Sequence, residues 1–207
     1  AVLTIWGRNN SINVQKVMWT VGELGLAHER FDAGRQYGGL STPEFLAMNP
    51  NGLVPTIVDG DTAMWESNAI VRYLAAKYDA GGLWPKDPDV RCQGDKWMDW
   101  MVTVIIPQLI PVFVGLIRTS PEERDNDAIT ASIKAMSESW EILNAHLSNQ
   151  PFVAGDSLTI ADIPLGCACH RYYAMDIPHP THANLESWYE RLQERSAYRE
   201  HVMIQLS

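Results

Sequence analysis

The sequence predicts a small mixed α/β domain over residues 1–79, a linker over 80–89 and an all-helical domain over 90–207. Three observations carry this. Short β-type runs at Val2–Trp6, Leu26–Asp32, Thr56–Val58 and Thr62–Trp65 are interleaved with helical periodicity up to Tyr78. Asp79–Asp89, DAGGLWPKDPD, then brings glycine and proline pairs and little periodicity. After it no convincing strand returns, whereas apolar stripes of helical spacing do.

Taken in order, Val2–Trp6 is followed by the polar turn Gly7-Arg8-Asn9-Asn10 and by an amphipathic helix from Ser11 to Leu24 carrying Val14, Val17, Met18 and Val21. A more polar strand leads through Gly34, Gly38 and Gly39 to Thr42-Pro43, a cap and first helical position. Thr56–Val58, the turn Asp59-Gly60-Asp61 and Thr62–Trp65 read as a hairpin, after which Ser67 and Asn68 cap a helix. The order is β-α-β-α-β-β-α. It requires a parallel pair with a crossover and an antiparallel hairpin, hence a mixed four-stranded sheet, with helices expected on both faces.

Beyond the linker a long helix runs from Val90 to Ile117, and Pro107 and Pro111 predict a bend in it. Ser120-Pro121-Glu122-Glu123 reads as a capping box opening the helix that carries Ile129, Ile133, Met136, Trp140, Leu143 and Leu147. Thr159-Ile160-Ala161-Asp162 opens a buried helix, with Asp162 reaching back to the amide of the cap.

A net charge of −9 with no run of Lys or Arg argues against nucleic acid and anionic membrane as generic partners. The three cysteines, Cys92, Cys167 and Cys169, form no disulfide framework and fit a reducing, cytoplasmic setting. Trp100–Ile117 is uncharged and about as long as a minimal bilayer span, but Pro107, Gln108 and Pro111 interrupt it. A helix buried on several sides is the expected explanation. The histidines show no metal-ligand spacing, so no metal is expected.

Glu66 and Ser67 join the end of a strand to the positive end of a helix, a junction suited to a small charged ligand. That junction, with NPNGLVPTIVDG, WESNAIVRYL and GDSLTIADI in this order over essentially the whole chain, resembles a cytosolic glutathione S-transferase of the bacterial theta- or nu-like, serine/asparagine type. The resemblance implies a thioredoxin-like first domain that binds glutathione as co-substrate. The helical domain then supplies most of the pocket for a small hydrophobic electrophile, and the assembly is a homodimer. It also implies a cis peptide at Val54-Pro55 that presents the main chain of Val54 to the cysteinyl part. Glu66 would accept from the γ-glutamyl ammonium, and Ser67 would hold the α-carboxylate.

Thiol activation is the chemical problem, since a thiol of pKa near ~8.5 attacks well only as thiolate. Lowering that value by about two units requires roughly 2.7 kcal/mol, and one hydrogen bond to the anion contributes about 1.5–3 kcal/mol. The resemblance assigns this to Ser11, helped by Asn13, at the start of the first helix; Ile12 stands where many relatives have proline. With no cysteine before Cys92, a mixed-disulfide mechanism is not expected. Leu40 and Leu53 occupy places where relatives put polar groups for the glycyl carboxylate, leaving Arg35 or Gln36 as substitutes. In the helical domain Trp100, Met101, Val104 and Arg118 are the expected electrophile contacts, and Asp99 the residue reaching the γ-glutamyl ammonium of the partner subunit. The activity expected is conjugation. Peroxide or disulfide reduction at the same site is an alternative, and a non-catalytic ligand-binding or interaction module another.

Overall fold

The computed structural model describes residues 2–207. Strands β1 (Leu3–Trp6), β2 (His28–Phe31), β3 (Thr56–Asp59) and β4 (Thr62–Trp65) form one sheet in the order β2-β1-β3-β4. β1 runs parallel to β2 and antiparallel to β3, and β3 runs antiparallel to β4. The helices of this part are α1 (Ile12–Leu24), α2 (Pro43–Met48) and α3 (Ser67–Tyr78).

β1 explains the layering. Leu3 and Ile5 are buried against Val14, Val17, Met18 and Val21 of α1 and Ile70 and Leu74 of α3, as period-two alternation requires. Thr4 and Trp6, on the opposite face, are only half buried. One face is thus filled, and the other is covered in part, with Thr56 on it buried and Thr4 and Trp6 half buried.

Residues 79–89 are tied down by local bonds. The Asp79 carboxylate accepts from the Leu83 amide at 2.8 Å, and the buried Leu83 offers its carbonyl to the Ile160 amide at 3.1 Å.

Helix α4 (Pro88–Arg118) is continuous over 31 residues. It widens to π geometry at Met101–Ile105 and again at Val114–Arg118. The first widening lies just before Pro107, whose missing N–H and ring disturb the regular ladder. By length and composition α4 could cross a membrane. In the fold Met98, Met101, Ile105, Leu109 and Val112 form a stripe buried in the helical core, while Val102 and Ile110 remain exposed. Burial along one stripe replaces the expected burial on several sides.

Four further helices complete the fold: α5 (Asn126–His146), α6 (Asp162–Ala174), α7 (Ala183–Gln193) and α8 (Ser196–His201). The predicted capping box at Ser120 is not the start of α5. Pro121–Glu123 forms a single 3-10 turn, the Ser120 hydroxyl bonds the Glu123 side chain, and α5 begins at Asn126 with Asp125 accepting from the Ala128 amide at 3.0 Å. An equally good cap a turn later competes with the box because Arg124 bonds the carbonyls of Gly115 and Leu116 and fixes the chain there. At α6 the expected bond forms, Asp162 accepting from the Thr159 amide at 3.0 Å, and also from the Val153 amide and the Trp188 indole at 2.9 Å, but the helix begins at Asp162 itself with Ala161, not Thr159, in the cap position.

Candidate active site

A cleft of about 240 Å³ lies between the sheet part and α4. Asn13, Val54, Pro55, Glu66 and Ser67 all line it, so residues spread over some fifty positions of sequence converge as expected. The Val54-Pro55 peptide is cis. Among the described residues, the main-chain N–H and C=O of Val54 make no hydrogen bond within the chain and remain available to a ligand.

The loop before them is organised by Asn49. Its amide nitrogen donates to the Leu53 carbonyl at 3.0 Å and the Thr56 hydroxyl at 3.1 Å. Its oxygen accepts from the main chain and side chain of Asn51, at 3.0 and 2.9 Å. A buried amide with its four positions filled holds this loop in one shape.

At the start of α3 the predicted caps have other partners. Glu66 occupies the cap position with a φ of 74° and no side-chain capping bond, a left-handed conformation that costs a non-glycine residue energy and recurs at functional sites. Ser67 and Asn68 instead face Lys16. The Lys16 ammonium, 1% exposed, donates to Ser67 Oγ at 3.3 Å and to Asn68 Oδ1 at 3.1 Å. Ser67 Oγ in turn donates to Asn13 Oδ1 at 3.2 Å. Burial lowers the Lys16 pKa to about 8; Cys167 and Glu66 oppose that fall and Arg72 adds to it. Sequence reasoning passed Lys16 over. The readable signal was a lysine set among Val14, Val17, Met18 and Trp19 near the N-terminus of a helix, where a cation is disfavoured. Its partner, 51 residues on, was not readable.

Ser11 and Asn13 differ in placement. Ser11 caps α1, its Oγ accepting from the Val14 amide at 3.4 Å; it is 6% exposed and does not border the cleft. Asn13 does border it, and with its oxygen engaged by Ser67 its amide N–H groups are left for a ligand.

On the helical side the cleft wall is Val102, Ile106 and Ile110. None of the four expected electrophile contacts lines it. Met101 is in the core, Trp100 packs edge-on against Trp97, and Val104 is half buried away from the cleft. Arg118 bonds the main-chain oxygens of Asn10 and Ser207. Gln36 is exposed in a 3-10 turn, Arg35–Tyr37, off the cleft. Asp99 pairs with Arg72 at 3.0 Å. Among the described residues no group of His, Cys, Asp and Glu is arranged to hold a metal.

Residues 1–76 match the family "Glutathione S-transferase, N-terminal domain" and residues 96–196 match "Glutathione S-transferase, C-terminal domain". The chain belongs to the glutathione S-transferase family. It is 43% identical to glutathione S-transferase GstB of Escherichia coli (strain K12), with 100% of both chains covered. Among solved structures, it resembles the theta-class glutathione S-transferase of the citrus canker pathogen Xanthomonas axonopodis pv. citri with glutathione bound. The TM-score is 0.96 at 42% identity, covering 100% of this chain and 99% of that one. The apo form of that enzyme gives a TM-score of 0.87. As a glutathione S-transferase this protein uses glutathione as co-substrate and conjugates it.

Proposed function

We propose that the cleft holds glutathione by three of the groups just described and activates its thiol through the start of α1. Val54 pairs its main chain with the cysteinyl part, Ser67 and the positive end of α3 take the γ-glutamyl carboxylate, and Glu66 takes the ammonium. Asn13 is the principal donor to the thiolate, with Ser11 supporting it by capping the helix from which Asn13 projects. The observation that supports this order is placement: the amide of Asn13 borders the cleft and the Ser11 hydroxyl does not. A small hydrophobic electrophile fits the wall of Val102, Ile106 and Ile110. A cytoplasmic homodimer is proposed from family membership.

Spectral titration of bound glutathione tests the assignment. We expect a thiolate pKa below that of free glutathione. Asn13→Ala should raise it by about one to two units, the equivalent of one lost hydrogen bond to an anion, and Ser11→Ala by less. A native value no lower than that of free glutathione, or an Asn13→Ala value equal to native, removes Asn13 from the role. Turnover of hydroperoxides or disulfides in place of aryl halides would replace conjugation as the main reaction of the site.

A further inference from the structure

Four arginines gather beside the β1–α1 turn, none of them lining the cleft; the family resemblance assigns Arg118 to the electrophile and offers Arg35 to the glycyl carboxylate, and leaves Arg8 and Arg171 unused. Arg118, at the end of α4, and Arg171, in the last turn of α6, both donate to the Asn10 carbonyl, at 3.1 and 2.9 Å. Their guanidinium carbons lie 4.9 and 4.2 Å from the centre of the Phe113 ring. Arg8 follows β1, and a Cβ built on Gly34, next to Arg35, would stand 3.0 Å from its Nη1.

The four charges act on one another. Burial, then Arg35 and Arg8, lowers Arg118 to about 10; burial, then Arg118 and Arg8 against Cys167, does the same to Arg171; burial, then Arg35, lowers Arg8. Arg118 and Arg171 remain protonated at neutral pH.

Among the described residues none of the four forms an ion pair with Asp or Glu, in a chain that has 25 acidic residues and a net charge of −9. Arg118 and Arg171 find acceptors in the oxygens of Asn10, Ser207 and Gln15. Arg8 has none, and its buried Nε lacks any hydrogen-bond partner. Packing like charges together with no Asp or Glu beside them is costly, and a buried donor left unmatched adds to that cost. An anion relieves both. None of the four lines the cleft itself; the cluster stands beside it, because Asn10, whose carbonyl Arg118 and Arg171 bond, lies three residues before the cleft-lining Asn13.

Resting on the transferase reading, we propose that the arginines receive a carboxylate carried by the electrophile, so that anionic electrophiles are the favoured second substrates. The apolar wall of α4 takes the body of such a molecule and the cluster fixes its charged end. Arginine suits this through its planar, paired donors.

The test compares 4-chloro-3,5-dinitrobenzoate with its carboxamide, each rate normalised to the uncatalysed reaction with glutathione. The native chain should favour the carboxylate in kcat/KM by about tenfold or more, the order of one charge-assisted bond. Arg8→Met should abolish most of that ratio and Arg8→Lys should retain much of it. In the native chain, sulfate should compete with the carboxylate and spare the carboxamide, a measurement that needs no variant to fold.

Conjugation of the carboxamide without preference for the carboxylate overturns the inference and leaves the transferase reading standing. So does equal inhibition of both substrates by sulfate. A glutathione KM that rises in Arg8→Met by the same factor with either electrophile assigns the cluster to the tripeptide instead. Conjugation of neither compound brings down the transferase reading and this inference with it.

Discussion

Lys16 shows how a single buried charge organises a binding site. Its ammonium lies beneath Ser67 and Asn68 at the N-terminus of α3, so it adds a full positive charge where the helix already presents partial ones. Replacing it by methionine keeps the length and apolarity but loses that charge. Lys16→Met should therefore raise the KM for glutathione by roughly tenfold with a smaller change in kcat. With a folded pKa of about 8 the charge is lost as pH rises through that value. Affinity for S-methylglutathione, which has no thiol to titrate, should then weaken above about pH 8 in the native chain by more than in Lys16→Met. Stability moves oppositely. The folded pKa lies below the unfolded one, so the unfolded chain binds the extra proton between about pH 8 and about pH 10.5, and the residue's contribution to stability rises with pH across that window. Equal pH dependence of native and Lys16→Met binding would show that the ammonium does not act on the site.

At the scale of elements, the turn between α2 and β3 owes its shape to Asn49. Every polar atom of that side chain is engaged within residues 51–56, directly around Val54. Asn49→Ala should cost about 2–3 kcal/mol in denaturant unfolding, several hydrogen bonds being lost while the exposed partners regain water. Displacement of Val54 should also weaken glutathione binding, seen as a raised KM with little change in the thiolate pKa. A variant of native stability and KM would show that the loop holds its shape by other means. The hairpin after it was legible in the sequence, because turn chemistry and period-two alternation act between near neighbours. The face of α4 was not legible. The family resemblance named Trp100, Met101 and Val104 for the cleft, but Val102, Ile106 and Ile110 stand there; two π segments and two prolines alter the angular spacing along this helix, so which face meets the cleft follows from its packing and not from sequence position.

Across the whole molecule, α1 joins the two parts. Val14 and Val17 enter the core of the sheet, while Trp19 enters the helical core beside α6 and α8. Gly166 of α6 lets the indole approach: a Cβ there would lie 2.7 Å from Trp19, 2.8 Å from a second atom of the same ring and 3.0 Å from Leu192. The Glu23–Arg195 pair, at 2.9 Å, adds a polar tie across the same seam. Gly166→Ala should destabilise by about 2–3 kcal/mol, the upper range for overpacking against a rigid ring. The corresponding fall in Tm is about 4–12 °C for a chain of this size. A Tm within a degree of native would mean that the seam accommodates the methyl group. Sequence by itself determined the order of strands and helices and placed Glu66 and Ser67 at a strand–helix junction, since these are written in local pattern, whereas Val54 was named through the family resemblance. Only the tertiary structure decided that Lys16 lies under Ser67, that Asn13 rather than Ser11 borders the cleft, and that arginines at positions 8, 35, 118 and 171 form one positive site in an acidic chain. Those are contacts between residues far apart in sequence, fixed by packing and charge, and periodicity carries no record of them.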